Sequence, residues 1–160
     1  MAVTENLFYT DYEPKLQHRF QLSLGSDFPA YLVQSTARPS IEGARKEIDY
    51  INTKRYIAGK YSWGTLDVTF NDPIVPSAAQ RVYEWFRTHY DFSSGTAGYA
   101  ANYKRRVKLK LLGPDGAFVE EWDLVGTFIQ STTFGDLDYG SDDLINISAT
   151  LSFDYAVLNY

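Results

Sequence analysis

The stretch INISATLSFDYAV, residues 145–157, decides how the rest of the chain is read. Ile145, Ile147, Ala149, Leu151, Phe153, Tyr155 and Val157 alternate with Asn146, Ser148, Thr150, Ser152 and Asp154. A period of two marks a β-strand with one face on a core and the other in water. Typical strands run about 5–6 residues. One unbroken strand here would span about 43 Å at roughly 3.3 Å per residue. A domain of this length has a radius of gyration of only about 15 Å. The strand is therefore expected to cross most of the molecule, or to continue past it into a neighbour.

Earlier segments repeat the pattern. Phe20, Leu22 and Leu24 alternate with Gln21 and Ser23, and Tyr31, Val33 and Ser35 with Leu32 and Gln34. Leu66, Val68 and Phe70 alternate with Thr65, Asp67 and Thr69 before Asn71-Asp72-Pro73 ends the strand. Ser77 followed by Gln80 is a capping box, and Ala78, Val82, Trp85, Phe86 and His89 then fall at helical spacing. The spacing predicts a helix over 77–90. The stretch 104–130 reads as a hairpin around Gly113-Pro114-Asp115-Gly116. Residues 39–60 carry Arg45, Lys46, Lys54 and Arg55 without a clear period, which predicts a long loop with a short strand around Glu47–Asn52. A loop of that length in a compact domain is usually functional or disordered, and its apolar content argues against disorder. One helix among about seven strands predicts a mainly β sandwich or barrel with a single flanking helix. Residues 1–16 are expected to be an N-terminal arm, and 17–160 one domain.

Composition narrows the function. The chain has 160 residues, 44% hydrophobic and 22% charged, with 13 Tyr and 10 Phe. A net charge of −5 argues against wrapping nucleic acid, because phosphate binding needs a basic surface. There is no cysteine, so neither a disulfide framework nor thiol chemistry is available. The first residues, MAVTENLFYTDYEPK, contain no apolar core of a signal peptide, and no run approaches the roughly 20 apolar residues of a membrane span. Synthesis and folding in a cytoplasm are expected.

No catalytic or cofactor constellation stands out. His18 and His89 lie far apart in sequence and outside any metal-ligand spacing. Asp136 and Asp138 fit the first two positions of a calcium loop, but Gly140 occupies the third and Ile147 the twelfth, where Glu belongs. Glu120 and Glu121 are adjacent on a strand, so they point to opposite faces. No catalytic residue, cofactor or metal ligand is assigned.

Lys104, Arg106, Lys108 and Lys110 lie on one strand face, and two readings of them stand. One is a partner-binding stripe. The other is neutralisation inside the hairpin. If Leu112 faces Ala117, Lys108 meets Glu121 and Arg106 meets Asp123, while Val107 meets Trp122 and Leu111 meets Phe118 on the apolar face. Lys104 and Lys110 are left over in either case.

What remains is assembly. Open sheet edges must be closed, paired or guarded, and identical copies joined head to tail around an axis close into a ring. The basic residues of 39–60 (Arg45, Lys46, Lys54, Arg55), with Glu47, Tyr50 and Tyr56, face a complementary acidic turn at 135–143 (Asp136, Asp138, Asp142, Asp143) as mating surfaces of stacked rings. Two solvated loops is the competing reading.

The stretch TARPSIEGARKEIDYINTKRYIAGKYSWGTLDVTFNDPIVPSAAQRVYEWF resembles the major tail tube proteins of contractile-tailed bacteriophages. The shared pattern is a strand, a long loop ending near Ala58-Gly59-Lys60, a Trp63-led strand closing on Phe70-Asn71-Asp72, and a helix with Trp85-Phe86. The ending LDYGSDDLINISATLSFDYAV resembles that family's acidic turn and final strand. The resemblance covers residues 18–157. It implies a β-barrel-like sandwich with a helix on its flank. It implies homohexameric rings stacked into a hollow tube, with sheets joined between subunits around a channel and residues 39–60 reaching the adjacent ring. It further implies sheath, baseplate and tail terminator proteins as partners, DNA and a tape measure protein passing through the lumen, and location in the virion. A secretion-system tube, an extracellular contractile injection system and a soluble β-barrel ligand-binding module are the alternatives. Acidic walls repel phosphates, so Asn146, Ser148, Thr150, Ser152 and Asp154 are candidates for the lumen face, an outer solvated face being the competing reading.

Overall fold

A computed structural model describes residues 12–160. Residues 1–11 of the expected arm lie outside the described residues; 12–16 are exposed and without regular structure. The first strands are β1 (Phe20–Ser23), β2 (Val33–Thr36), β3 (Ile41–Tyr50), β4 (Thr53–Trp63) and β5 (Leu66–Asn71). Helix α1 (Ala78–His89), the short β6 (Tyr90–Asp91) and β7 (Thr96–Ala97), and the one-turn α2 (Ala100–Tyr103) follow. The chain ends with β8 (Arg105–Leu112), β9 (Phe118–Thr133), β10 (Asn146–Ser152) and β11 (Tyr155–Asn159). The fold is mainly β, sandwich-like, with one main helix on its flank.

Seven strands form one folded-over sheet in the order β1-β8-β9-β10-β5-β2, with β11 added on β9. Strand β9 serves both layers. Its residues 121–125 pair with β11, its first half pairs with β8, and residues 128–133 pair with β10. Gly126, with φ +70°, lies between the halves, in a conformation that favours glycine. The end strands β1 and β2 do not pair with each other, so the sheet stays open.

The core follows the alternation. Leu66, Val68 and Phe70 of β5 meet Ile147, Ala149 and Leu151 of β10, all buried. Leu22, Val107, Leu109 and Leu124 come from the other layer, and Val82 and Trp85 from α1. The Ser77 hydroxyl accepts from the Gln80 N–H at 3.4 Å, as its spacing predicts. Asp72 adds a second cap, accepting from the N–H groups of Ala78 at 3.0 Å and Ala79 at 3.3 Å.

Four expectations are corrected. First, residues 145–157 are not one strand. Ile145 precedes β10, Phe153-Asp154 interrupt the chain, and β11 then joins the other layer. Burial alternates cleanly only through Phe153; Tyr155 and Val157 are exposed. Second, residues 39–60 are not a loop: 41–63 form the β3–β4 hairpin, turning at Ile51-Asn52 with Ile51 at φ +53°. Consequently Trp63 ends β4 rather than leading β5. Third, the β8–β9 register is displaced by two, pairing Lys108 with Asp123, Leu109 with Trp122 and Val107 with Leu124. An even shift keeps Val107–Leu111 and their partners on the expected faces, and the foreseen ion pairs survive as diagonals: Lys108 to Glu121 at 3.3 Å, Arg106 to Asp123 at 3.4 Å. Phe118, expected in the core opposite Leu111, instead pairs with Leu112 past a bulge and is exposed on the charged face, with the Lys110 ammonium 4.2 Å from its ring centroid. Fourth, the two lysines expected to be left over are paired, Lys104 with Asp154 at 2.9 Å and Lys110 with Glu121 at 3.8 Å.

Candidate functional site

The β3–β4 hairpin belongs to neither layer; among the described residues it pairs only with itself. All ten residues of β3 are exposed, and β4 is exposed except for half-buried Gly59 and Trp63. Its root is fixed by a 2.9 Å hydrogen bond from the Gly64 N–H to the Ser40 carbonyl and by Trp63 packing on Phe153. A bulge between Gly43 and Arg45 separates root from distal part.

Cross-strand pairing sorts the distal residues onto two faces. On one, Lys54 pairs with Glu47 at 3.3 Å and the Arg45 guanidinium lies 4.3 Å from the Tyr56 ring centroid. On the other stand Lys46, Ile48, Tyr50, Arg55 and Ile57, with no acidic side chain among them. Among the described residues, these exposed isoleucines and the cations Lys46 and Arg55 meet no partner outside the hairpin; exposed apolar side chains grouped in this way are typical of interaction surfaces.

The acidic segment lies at the opposite end of the ladder. Leu66, where the chain enters β5 from the hairpin, pairs with Leu151; Asn71, at the far end of β5, pairs with Asn146. The turn carrying Asp136, Asp138, Asp142 and Asp143 leads directly into Asn146, and the Asp72 N–H donates to the Ile145 carbonyl at 3.2 Å. Six residues of strand, about 20 Å, thus separate the two features. The turn is exposed and held by its own contacts, the Gly140 N–H donating to Asp138 at 2.9 Å. Ile74, Val75, Leu137 and Leu144 are strongly exposed beside it, at 84–95%. Each end of the ladder therefore carries apolar side chains, with an acid-free basic face at one and four aspartates at the other.

Between the ends, the outward face of β2, β5, β10 and the last part of β9 is polar and nearly uncharged. Ser35, Thr69, Ser148 and Thr133 form one row across the strands, and Asp67, Thr150 and Ser131 another. The Thr150 hydroxyl donates to Asp67 at 2.9 Å. No Lys or Arg stands in either row. Asn146, Ser148, Thr150 and Ser152 sit on this face, whereas Asp154 lies beyond the strand in its ion pair with Lys104.

Sequence reading named Glu120 only as half of an adjacent acid pair and gave it no role. Its side chain is only 6% exposed, yet it receives Lys15 and the Trp122 indole N–H, the latter at 2.5 Å, with Arg38 at 3.7 Å. Burial opposes its charge, but the hydrogen bonds from Lys15 and Trp122 and the charges of Lys15 and Arg38 outweigh that and hold its carboxyl below the ordinary value. Lys15 precedes β1 and Arg38 follows β2, so the two flanks of the open sheet converge on one carboxylate. No sequence motif announces this, because the partners come from three distant segments. Among the described residues, no three His, Asp or Glu side chains converge as a metal site would require.

The fold is similar to that of chains in solved contractile injection system structures. The tube-terminating cap of the anti-feeding prophage matches with a TM-score of 0.76 at 19% identity, covering 99% of each chain. The PVC sheath/tube terminator of an extracellular contractile injection system, in the extended state, matches at 0.76 and 16% identity over 94% of this chain and 99% of the other. The sheath–tube complex of the PVC system matches at 0.70 and 16% identity over 94% and 93%. No protein-family model and no curated relative matches the chain.

Proposed function

We propose that the chain is a structural, non-enzymatic subunit of the hollow inner tube of a contractile phage tail or related injection system. Copies close into hexameric rings, and rings stack as the hairpin of one meets the acidic end of the next. The observation that carries this reading is the placement of a basic, apolar hairpin and an acidic, apolar turn at opposite ends of one ladder. Opposite surfaces at opposite ends are what open-ended repetition along an axis requires.

In this arrangement the rows of Ser35, Thr69, Ser148, Thr133, Asp67, Thr150 and Ser131 face the channel. A cation-free hydroxyl wall gives passing DNA or a tape measure protein nothing to hold. Sheath, baseplate and terminator proteins are the outer and end partners, and the assembled particle is the location.

A tube-terminating cap is the second reading, favoured by the cap's equal coverage of both chains. A cap ends a stack, so alone it gives rings. Electron microscopy of the purified protein separates the readings: hollow, six-fold tubes that lengthen with concentration are expected, rings that never stack indicate a cap, and a monomer under all conditions refutes both. Deleting residues 44–56 is expected to leave a folded subunit that makes no tubes.

A further inference from the structure

Among the described residues Glu120 is the one buried carboxylate, and the tube reading leaves it without a role. Its two oxygens have separate partners. Oε2 receives the Lys15 ammonium. Oε1 receives the Trp122 indole N–H at 2.5 Å and lies 3.7 Å from the Arg38 guanidinium. Leu111 stands opposite on β8, and the neighbouring Lys110 is taken by Glu121 on the other face. Among the described residues, the charged groups on Glu120 are thus Lys15, from the segment before β1, and Arg38, from the link after β2.

All three partners are donors. A carboxylate can accept from each of them, whereas a neutral carboxyl carries an O–H and loses acceptor capacity. The site is built for the charged form, so a proton arriving there must displace a partner. Trp122 packs against the core and is held in place. Lys15 is free to leave: its side chain is 52% exposed, and residues 12–19 contain no strand or helix. That segment is otherwise tied by the Arg19 N–H donating to the Leu16 carbonyl at 3.2 Å and by the Arg19–Glu13 pair at 3.7 Å. Segments with so few buried contacts open locally at low cost.

We infer that Glu120 is a proton-operated latch on residues 12–19: protonation at Oε2 releases Lys15 while the Trp122 bond at Oε1 stays, and the segment comes away from the sheet. Lys15, Leu16 and His18 line a groove of about 880 Å³ together with Phe20, Leu109 and Leu111. Opening the latch therefore uncovers apolar surface between β1 and β2. Burial opposes the charge of Glu120, but the hydrogen bonds from Lys15 and Trp122 and the nearby cations hold its carboxyl below the ordinary value. The latch is accordingly closed at neutral pH and opens as pH falls through the folded value. It acts within a single chain and needs no assembly.

Glu120→Gln reproduces the protonated form at neutral pH, its amide oxygen facing Trp122 and its NH2 group turned to Lys15. Trypsin is expected to cut after Lys15 at least about tenfold faster in this variant than in the unmodified protein. Cuts at the exposed hairpin residues Lys46, Lys54 and Arg55 should keep their rates. Arg38→Gln removes the other cation and leaves the Lys15 pair, so it should change the Lys15 cut less than about twofold. An unchanged Lys15 cut in folded Glu120→Gln, or an equal acceleration in Arg38→Gln, overturns the latch. Should Glu120→Gln fail to fold, amide exchange in the unmodified protein decides. Between about pH 7 and about pH 3, protection of the Arg19 N–H is expected to fall at least about tenfold after correction for intrinsic rates, with β5 and β10 unchanged. Retained protection at Arg19, or a loss shared equally by β5 and β10, overturns it.

Discussion

Trp63 packs on Phe153 with ring centroids 5.8 Å apart, tying the end of the hairpin to the point where the chain leaves one layer for the other. The hairpin has no other apolar anchor of this size; its distal residues are exposed. Trp63→Ala is expected to cost about 2–3 kcal/mol of unfolding free energy, below a fully buried Trp because Trp63 is half-buried. Chemical denaturation checks the loss, and amide exchange in residues 41–63 should rise more than in β5 or β10.

Glu120 couples both flanks of the open sheet. Its folded pKa lies below the unfolded one, so its contribution is fully present above the ordinary carboxylate pKa and is lost as pH falls through the folded value. Stability attributable to it should therefore be flat from neutral pH to about 5 and decline in more acidic solution. Glu120→Gln is expected to lose about 1–3 kcal/mol at pH 7 and to show a shallower acid decline than the unmodified chain. Denaturation midpoints at several pH values test both statements; equal acid slopes would refute the second.

The acid-free hairpin face makes a charge-reversal experiment informative. Lys46→Glu with Arg55→Glu should leave folding within about 0.5 kcal/mol, since both are exposed. Tube formation should be lost. Adding Asp142→Lys and Asp143→Lys should restore it in part, read by sedimentation of assembled material. Wild-type tubes should also lengthen less readily in high salt.

Gly126 is the third sensitive point. A side chain there would collide with Asp154 and would have to adopt a positive φ. Gly126→Val is expected to destabilise the fold by about 2–4 kcal/mol, visible as a lowered thermal midpoint.

Much of this was legible in the sequence, for identifiable reasons. Alternation through Phe153, the Ser77 cap and the buried stripe of α1 all come from residues that touch the core, and a core imposes a period. Beyond its root at Trp63 the hairpin packs on no core, so its strands carry no burial period, and its turn uses Ile51-Asn52 instead of a glycine that would have announced it. The layer change at Phe153-Asp154 was hidden because alternation is the same in a straight strand and in one that crosses between layers. The β8–β9 register slipped by two since the charges pair equally well along the diagonal. For the ends, sequence supplied the charges of Arg45, Lys46, Lys54, Arg55 and the four aspartates. Only the ladder between Leu66 and Asn71 separates them in space.

Strand β9 carries a mechanical corollary. Sixteen residues pass through both layers without interruption, so sliding one layer over the other would have to strain covalent bonds rather than merely break weak contacts. A force on either surface is carried to the other by the main chain itself, and the subunit resists shear as one plate. In the tube proposed above, rigidity of that kind would hold the bore constant under load.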